Sequence, residues 1–228
     1  MNLRMIENKL IVGKTINDVW RDALWCAVRE GYSYQITEGS YVGQKRLQLD
    51  RLCIEITEPS TRPLSVYLPE GSGIPAPTNE ESIHSYFFKY LMSEEKLPNE
   101  DYTYGQYITK QIPRVIEKLD RSHGGTNQAT ITIGDADSID LKDPPCLRTI
   151  DFKVVGDRLD MSVFFRSWDI FVGLPENLGG LQLLKEYVLS TLAFPLFDGK
   201  IFAYSSGAHI YEQYFDIVDT LNVDKIRL

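Results

Sequence analysis

Three short stretches place reactive residue types where the chain leaves its apolar segments. Cys146 follows Asp143-Pro144-Pro145 and directly precedes a β-branched run, so a stiff backbone presents a thiol at a defined strand edge. A thiol there is either a nucleophile or one more small buried hydrophobe, the commoner fate of a free cysteine. Arg166-Ser167 ends a strongly apolar segment and is followed by Asp169; a guanidinium fork beside a hydroxyl suits phosphate, and a surface ion pair is the plain alternative. His209 and Tyr211 in GAHIY share one face if that segment is extended, where they either share a ligand or a structural partner.

The elements that must carry these residues are legible in outline. Val19, Trp20, Ala23, Leu24, Ala27 and Val28 recur at helical spacing between a Thr15 cap and Gly31. A second helix is expected from Pro175 to Phe194, with Gly179-Gly180 marking a close approach by another backbone or a ligand. Glu80–Leu91 and Gln106–Leu119 also read as helical, the latter kinked or divided at Pro113. Strands are expected at 129–134, 147–155, 158–166 and 200–206, with Gly156-Asp157 forming a tight antiparallel hairpin between the second and third. The turn-rich stretch Leu68–Asn79 reads as a long loop, and Asp120–Asn127 as a second turn region. Cys26 and Cys53 read as core residues, and His84 and His123 carry no assigned role. The class is α/β (α+β).

Composition bounds the function. The chain has 228 residues, 43% hydrophobic and 25% charged, and a net charge of −8, which fits one globular domain over 1–228 and disfavours DNA or a membrane surface as partner. Three separated cysteines build neither a disulfide framework nor a zinc finger, and the sequence contains no HExxH, P-loop or GxGxxG pattern, so no metal is expected. The N-terminus lacks a signal-peptide core and no stretch approaches the roughly 18–20 apolar residues of a membrane span, so a cytoplasmic protein is expected.

Taken together, PPC at 144–146, FFRSWDIFVGLPEN at 164–177 and AHIY at 208–211 resemble, in order and separation, the signature blocks of the thymidylate synthase family. The similarity is most specific from Thr126 to Asp216 and looser before, through Tyr104-Gly105. The resemblance implies a three-layer fold with a large mixed, mostly antiparallel sheet flanked by helices, working as a homodimer. It makes Cys146 the nucleophile that adds to C6 of a pyrimidine, its thiol lowered toward neutrality by a nearby cation, with Arg166 the natural candidate. It gives Arg166 and Ser167 the nucleotide phosphate, His209 and Tyr211 the sugar hydroxyl, Asp169 both the base and the reduced pterin, Gly173 the pterin, and Tyr104 a place in the catalytic group. Asn177 would pair with the uracil edge, favouring dUMP over dCMP. The acid-base glutamate falls on the helix at 80–91, where Glu81 is the choice and His84-Ser85 the competing site. The implied reaction is dUMP to dTMP, with 5,10-methylenetetrahydrofolate or methylenetetrahydromethanopterin as carbon donor.

This chain departs from the pattern in several places. Asn127-Gln128 stand where the family carries consecutive arginines that reach the neighbouring subunit's phosphate; Arg148, Lys45 and Arg46 are the candidate substitutes. Glu176 stands where an aromatic packs on the pterin, and Leu147 replaces a common histidine. With no long tail after Leu228, closure would fall to the 68–79 loop. The alternatives are a pyrimidine nucleotide (dCMP/CMP) 5-hydroxymethylase of the same fold, and a nucleotide- or RNA-binding homologue without turnover.

Overall fold

The computed structural model describes residues 7–68, 73–98 and 100–221. The first strand, β1 (Lys9–Gly13), leads into α1 (Ile16–Glu30), which Thr15 starts with a reciprocal cap: its hydroxyl accepts the Asp18 N–H at 3.2 Å while the Asp18 carboxylate accepts the Thr15 N–H at 3.0 Å. The helix buries Val19, Trp20, Ala23, Leu24, Cys26 and Ala27, while Val28, which the apolar spacing assigns to the same stripe, is exposed at the edge of that face. Then follow β2 (Tyr32–Gln35), β3 (Lys45–Leu49) and β4 (Leu52–Ile56). Helix α2 (Glu80–Tyr86) widens into a π-helical turn at Phe87–Leu91, and α3 spans Gly105–Ser122. Pro113 does not divide α3, and the helix runs into the expected turn region until His123 takes a left-handed conformation at φ 48°.

The second half supplies β5 (Thr130–Thr132), β6 (Leu147–Val155), β7 (Arg158–Phe165), β8 (Trp168–Asp169), α4 (Gly173–Thr191), β9 (Phe197–Ser205), β10 (Ala208–Tyr211) and α5 (Phe215–Thr220). Gly156, at φ 64°, turns β6 into its antiparallel partner β7 as expected. The large sheet runs β1-β4-β9-β7-β6-β5, parallel at β1/β4 and β9/β7 and antiparallel elsewhere; a smaller sheet runs β2-β3-β10-β8. The short polar segments YSYQ and KRLQL give little strand signal in sequence and form two of its four strands.

Helix α1 packs on β1 and β4 of the large sheet and on β3 and β10 of the small one, and α4 reaches β7, β9 and β8, so these helices form the middle of three layers. The inner face of the large sheet presents Ile11, Ile54, Ala203, Val163, Ile150 and Ile131 in register. The outer face carries Leu10, Cys53, Tyr204, Phe164 and Thr149 in one row. Cys53 therefore departs from the core expectation: strict alternation in LCIEI gives the inner face to Leu52, Ile54 and Ile56.

The glycine pair on α4 has a mechanical reason. A Cβ on Gly179 would fall 2.8 Å from Ile83 Cδ1, and one on Gly180 would fall 2.4 Å from Tyr86 Cδ1. The approach foreseen from the sequence is thus made by the side chains of α2, not by a backbone or a ligand.

Candidate active site

Cys146 sits between the rigid Pro144-Pro145 step and the first residue of β6. Its carbonyl accepts the Arg166 N–H at 2.9 Å, which ties the thiol-bearing residue to the end of β7. The Arg166 side chain folds back on the same loop. Its Nε donates to Pro145 O at 3.2 Å and its Nη2 donates to Pro144 O and to Asp143 Oδ1, the latter at 3.3 Å. Two N–H groups on Nη1 remain for a ligand.

A cavity of about 320 Å³ opens over this corner, lined among others by Cys146, Arg166, Ser167, Tyr211, Arg46 and Tyr34. Arg46 lies on β3 between Tyr211 of β10 and Tyr34 of β2, with its guanidinium 4.7 Å from the centre of the Tyr34 ring and its Nε buried without a partner. Of the three basic substitutes named from the sequence, Arg46 is the one that shares a cavity with Cys146; Arg148 lines a neighbouring hollow beside Gly134. Asn127 and Gln128 accept hydrogen bonds from Lys153 and Lys118 of the same chain, each at 3.0 Å.

The thiol differs from expectation. Burial pushes the Cys146 thiol above the ordinary value, and the opposing pull of Arg166, aided by Arg46, does not cancel it. Cys146 lies near a cluster of tyrosines, Tyr104 buried and Tyr90 and Tyr102 partly so: the Tyr90 and Tyr104 rings meet edge to face at 5.1 Å, and Tyr102 lies 5.7 Å from Tyr104. The Tyr104 hydroxyl accepts the Leu147 N–H at 3.1 Å, and burial holds its phenol well above the ordinary range.

His209 is 1% exposed, and burial pushes its pKa down to about 4, so its ring is neutral. Nδ1 faces Gly207 O at 2.9 Å and must carry the proton, which leaves Nε2 as a buried acceptor without a partner. The Tyr211 ring stands edge-on to His209 at 4.5 Å. This pair does share one strand and one neighbourhood, as the i, i+2 spacing predicts.

Asp169 closes the start of α4, accepting the N–H groups of Phe171, Val172 and Gly173 at 3.0, 3.4 and 3.3 Å; burial outweighs these bonds and pushes its pKa up to about 6. A Cβ on Gly173 would lie 3.3 Å from Asp169 Cβ and 3.8 Å from Asn177 Oδ1, so the missing side chain leaves a notch between them. Asn177 Oδ1 accepts the Trp168 indole N–H at 3.0 Å. The Tyr86 hydroxyl lies buried beside the Asn177 amide, short of a well-formed hydrogen bond. Glu176, half-buried near Tyr86, has its carboxyl pushed up by burial.

The structure therefore gathers Cys146, Arg166, Ser167 and Tyr211 around one cavity, and groups Asp169, Gly173 and Asn177 at the start of α4. It does not bring Glu81 to either group: that side chain is exposed on α2, while Ile83 and Tyr86 of the same helix meet α4. Sequence reasoning missed Arg46 as a settled member, along with Tyr86, Tyr90 and Tyr102. The signal for Tyr86 was present in the Gly179-Gly180 pair, whose vacancy it fills.

Comparison with known proteins agrees across the chain. The sequence profile of the family described as thymidylate synthase matches residues 84–225. A protein of Methanosarcina mazei provisionally named a thymidylate synthase is 30% identical, over 95% of this chain and 98% of its own. A protein of Methanococcoides burtonii with the same provisional name is 30% identical over 93% of this chain and 94% of its own. Among solved structures, the thermostable thymidylate synthase A from Bacillus subtilis superposes with a TM-score of 0.67 at 14% identity, covering 92% of this chain and 84% of that one, a likeness of fold.

Proposed function

Since this chain belongs to the thymidylate synthase family, we propose that it is a thymidylate synthase, converting dUMP to dTMP by addition of Cys146 to uracil C6. The observation that carries the reading is the single cavity holding the Cys146 thiol with two guanidiniums, Arg166 and Arg46, and the Ser167 hydroxyl. A dianionic phosphate bound there by the two cations and the hydroxyl would anchor the nucleotide with its base toward the thiol. The sugar hydroxyl would donate to His209 Nε2, filling that buried vacancy, with Tyr211 beside it.

In the chemical step the Cys146 sulfur forms a bond to C6, and the C5–C6 π pair shifts toward C5 and O4. Asn177 can pair with the N3 and O4 edge, donating to the oxygen on which charge develops. Cys146 must first lose its proton, against the effect of burial and with the help of the cations; a soft thiolate can later leave C6 and restore the ring. Tyr104, through Leu147, fixes the strand that follows the nucleophile.

The notch at Gly173, bordered by the Asp169 carboxylate, fits the N–H edge of a pterin, and Asp169 is ionised above about pH 6 to receive it. A methylene-tetrahydropterin, folate or methanopterin, supplies the one-carbon unit and then a hydride. No cluster of His, Cys, Asp or Glu suited to a metal occurs among the described residues. The outer face of the large sheet, with Phe164 and Tyr204 stacked at 5.5 Å, supports a homodimer packed sheet against sheet. Among the described residues no helix is long and apolar enough to cross a membrane; the cytoplasmic location is part of the proposal.

One feature favours a second reading, a pyrimidine nucleotide 5-hydroxymethylase: Glu176 puts a half-buried carboxyl, able to hold water, where the family resemblance calls for an aromatic. Tritium release from C5-labelled dUMP and dCMP, with either carbon donor, separates the readings. Release from dUMP with dTMP and the dihydropterin supports the synthase, and a hydroxymethyl product selects the second reading. No release with any pair, or activity retained in Cys146→Ser, overturns the enzymatic reading.

A further inference from the structure

A side-chain amide offers an acceptor at one end and a donor at the other, and which end faces which way decides what base it can read. In this chain the Asn177 amide is not free to choose. Trp168 Nε1 lies 3.0 Å from Asn177 Oδ1, and an indole N–H only donates, so the amide atom facing it is the oxygen and Nδ2 is turned to the other edge. Trp168 is itself held. It is 2% exposed, its ring lies flat on Phe165 with centres 4.2 Å apart and planes 4° apart, and its backbone N–H donates to Gly207 O at 3.1 Å.

The other flank of Asn177 is occupied by the Tyr86 hydroxyl, seated there because Gly180 leaves room for its ring. Burial keeps that phenol neutral, and no well-formed hydrogen bond joins it to the amide. With Trp168 on the oxygen, one acceptor site on Oδ1 and the Nδ2 N–H groups remain for a ligand.

We propose that Trp168 is a specificity-determining positioning residue, which locks the Asn177 amide so that it pairs with uracil and refuses cytosine. The proposal rests on the reading of Asn177 as the base-pairing residue of a pyrimidine nucleotide site. Uracil presents N3–H as donor and O4 as acceptor; cytosine presents N3 as acceptor and the N4 amino group as donor. Cytosine therefore demands the reversed amide, which would set Nδ2 against the indole N–H, donor to donor, in a buried place. The expected discrimination is on the order of 10- to 100-fold.

The test is calorimetric binding of dUMP and dCMP to the wild-type protein and to Trp168→Phe, which keeps the ring on Phe165 and removes the N–H. The wild type should prefer dUMP, and in the variant the ratio of the two dissociation constants should fall about tenfold or more. The ratio cancels any loss of folded protein. An unchanged ratio overturns the lock while leaving the assigned site standing. A wild type that prefers dCMP overturns the uracil assignment and the proposal with it, and a wild type that binds neither nucleotide overturns the reading of the site. Should Trp168→Phe fail to fold, the Trp168 indole proton resonance of the wild type serves: it should move in Asn177→Leu, and a stationary resonance overturns the proposal.

Discussion

The Tyr104 hydroxyl accepts the backbone N–H of Leu147 at 3.1 Å, so a residue at the start of α3 holds the strand position next to the nucleophile 43 residues later in the chain. Phenylalanine at 104 would keep the ring among Tyr90 and Tyr102 and leave that buried N–H without a partner. Tyr104→Phe is expected to cost about 1–3 kcal/mol of stability. Urea denaturation checks it, and a midpoint equal to that of the wild type would show that water or another group takes over the bond.

Cys146 should be a slow thiol in the free protein. Its pKa lies above the ordinary value because of burial, so at neutral pH little thiolate exists, and the rate of alkylation by iodoacetamide should climb about tenfold per pH unit through neutrality. Arg166→Gln removes the main opposing pull and should slow alkylation further at a given pH. Faster alkylation in that variant would mean that Arg166 acts mainly by shielding the loop.

Arg46 should read phosphate. Arg46→Gln is expected to weaken dUMP binding on the order of 100-fold and to leave deoxyuridine, which lacks the phosphate, nearly unaffected. Equal losses for nucleotide and nucleoside would assign the arginine to the shape of the cavity and not to the anion.

Asp169 should leave a mark on stability. Its pKa is pushed up to about 6 in the folded chain, against about 3.9 unfolded, so the folded state holds the extra proton between those values. The stabilisation tied to this group is complete below about pH 4 and gone once the pH passes about 6. Urea midpoints measured from pH 4 to 7 should therefore show a falling contribution in the wild type that is absent from Asp169→Asn. Parallel curves would mean that the carboxyl titrates alike in both states.

The sequence was most readable where period and turn chemistry agreed: the Thr15 cap, the α1 stripe, and the β6–β7 hairpin at Gly156 all form as expected. It was least readable in the small sheet. Arg46 and Gln48 are polar strand residues that pair with Tyr211 and His209 of β10, more than 150 residues away, so no local pattern could mark them. The site followed the same division. Cys146, Arg166 and Ser167 are close in the fold because β6 and β7 are a hairpin, and the motif shows them. Arg46 arrives through strand pairing, which no spacing along the chain shows, and Tyr86 through a helix contact that the Gly179-Gly180 pair marks without naming the partner. The thiol pKa was misjudged because burial, which a sequence does not display, outweighs the arginine that it does display.

Strand β9, drawn from residues 197–205, lies between β4 and β7 and is hydrogen-bonded to both. During synthesis, then, the two parts of the large sheet, the β1/β4 pair and the β5–β7 meander, emerge from the ribosome with no shared seam. Each keeps an open edge, and the edges cannot join until residue 205 has cleared the exit tunnel. A ribosome stalled anywhere before that point would hold a chain with two sticky borders, the state in which this protein is most exposed to pairing with the wrong neighbour.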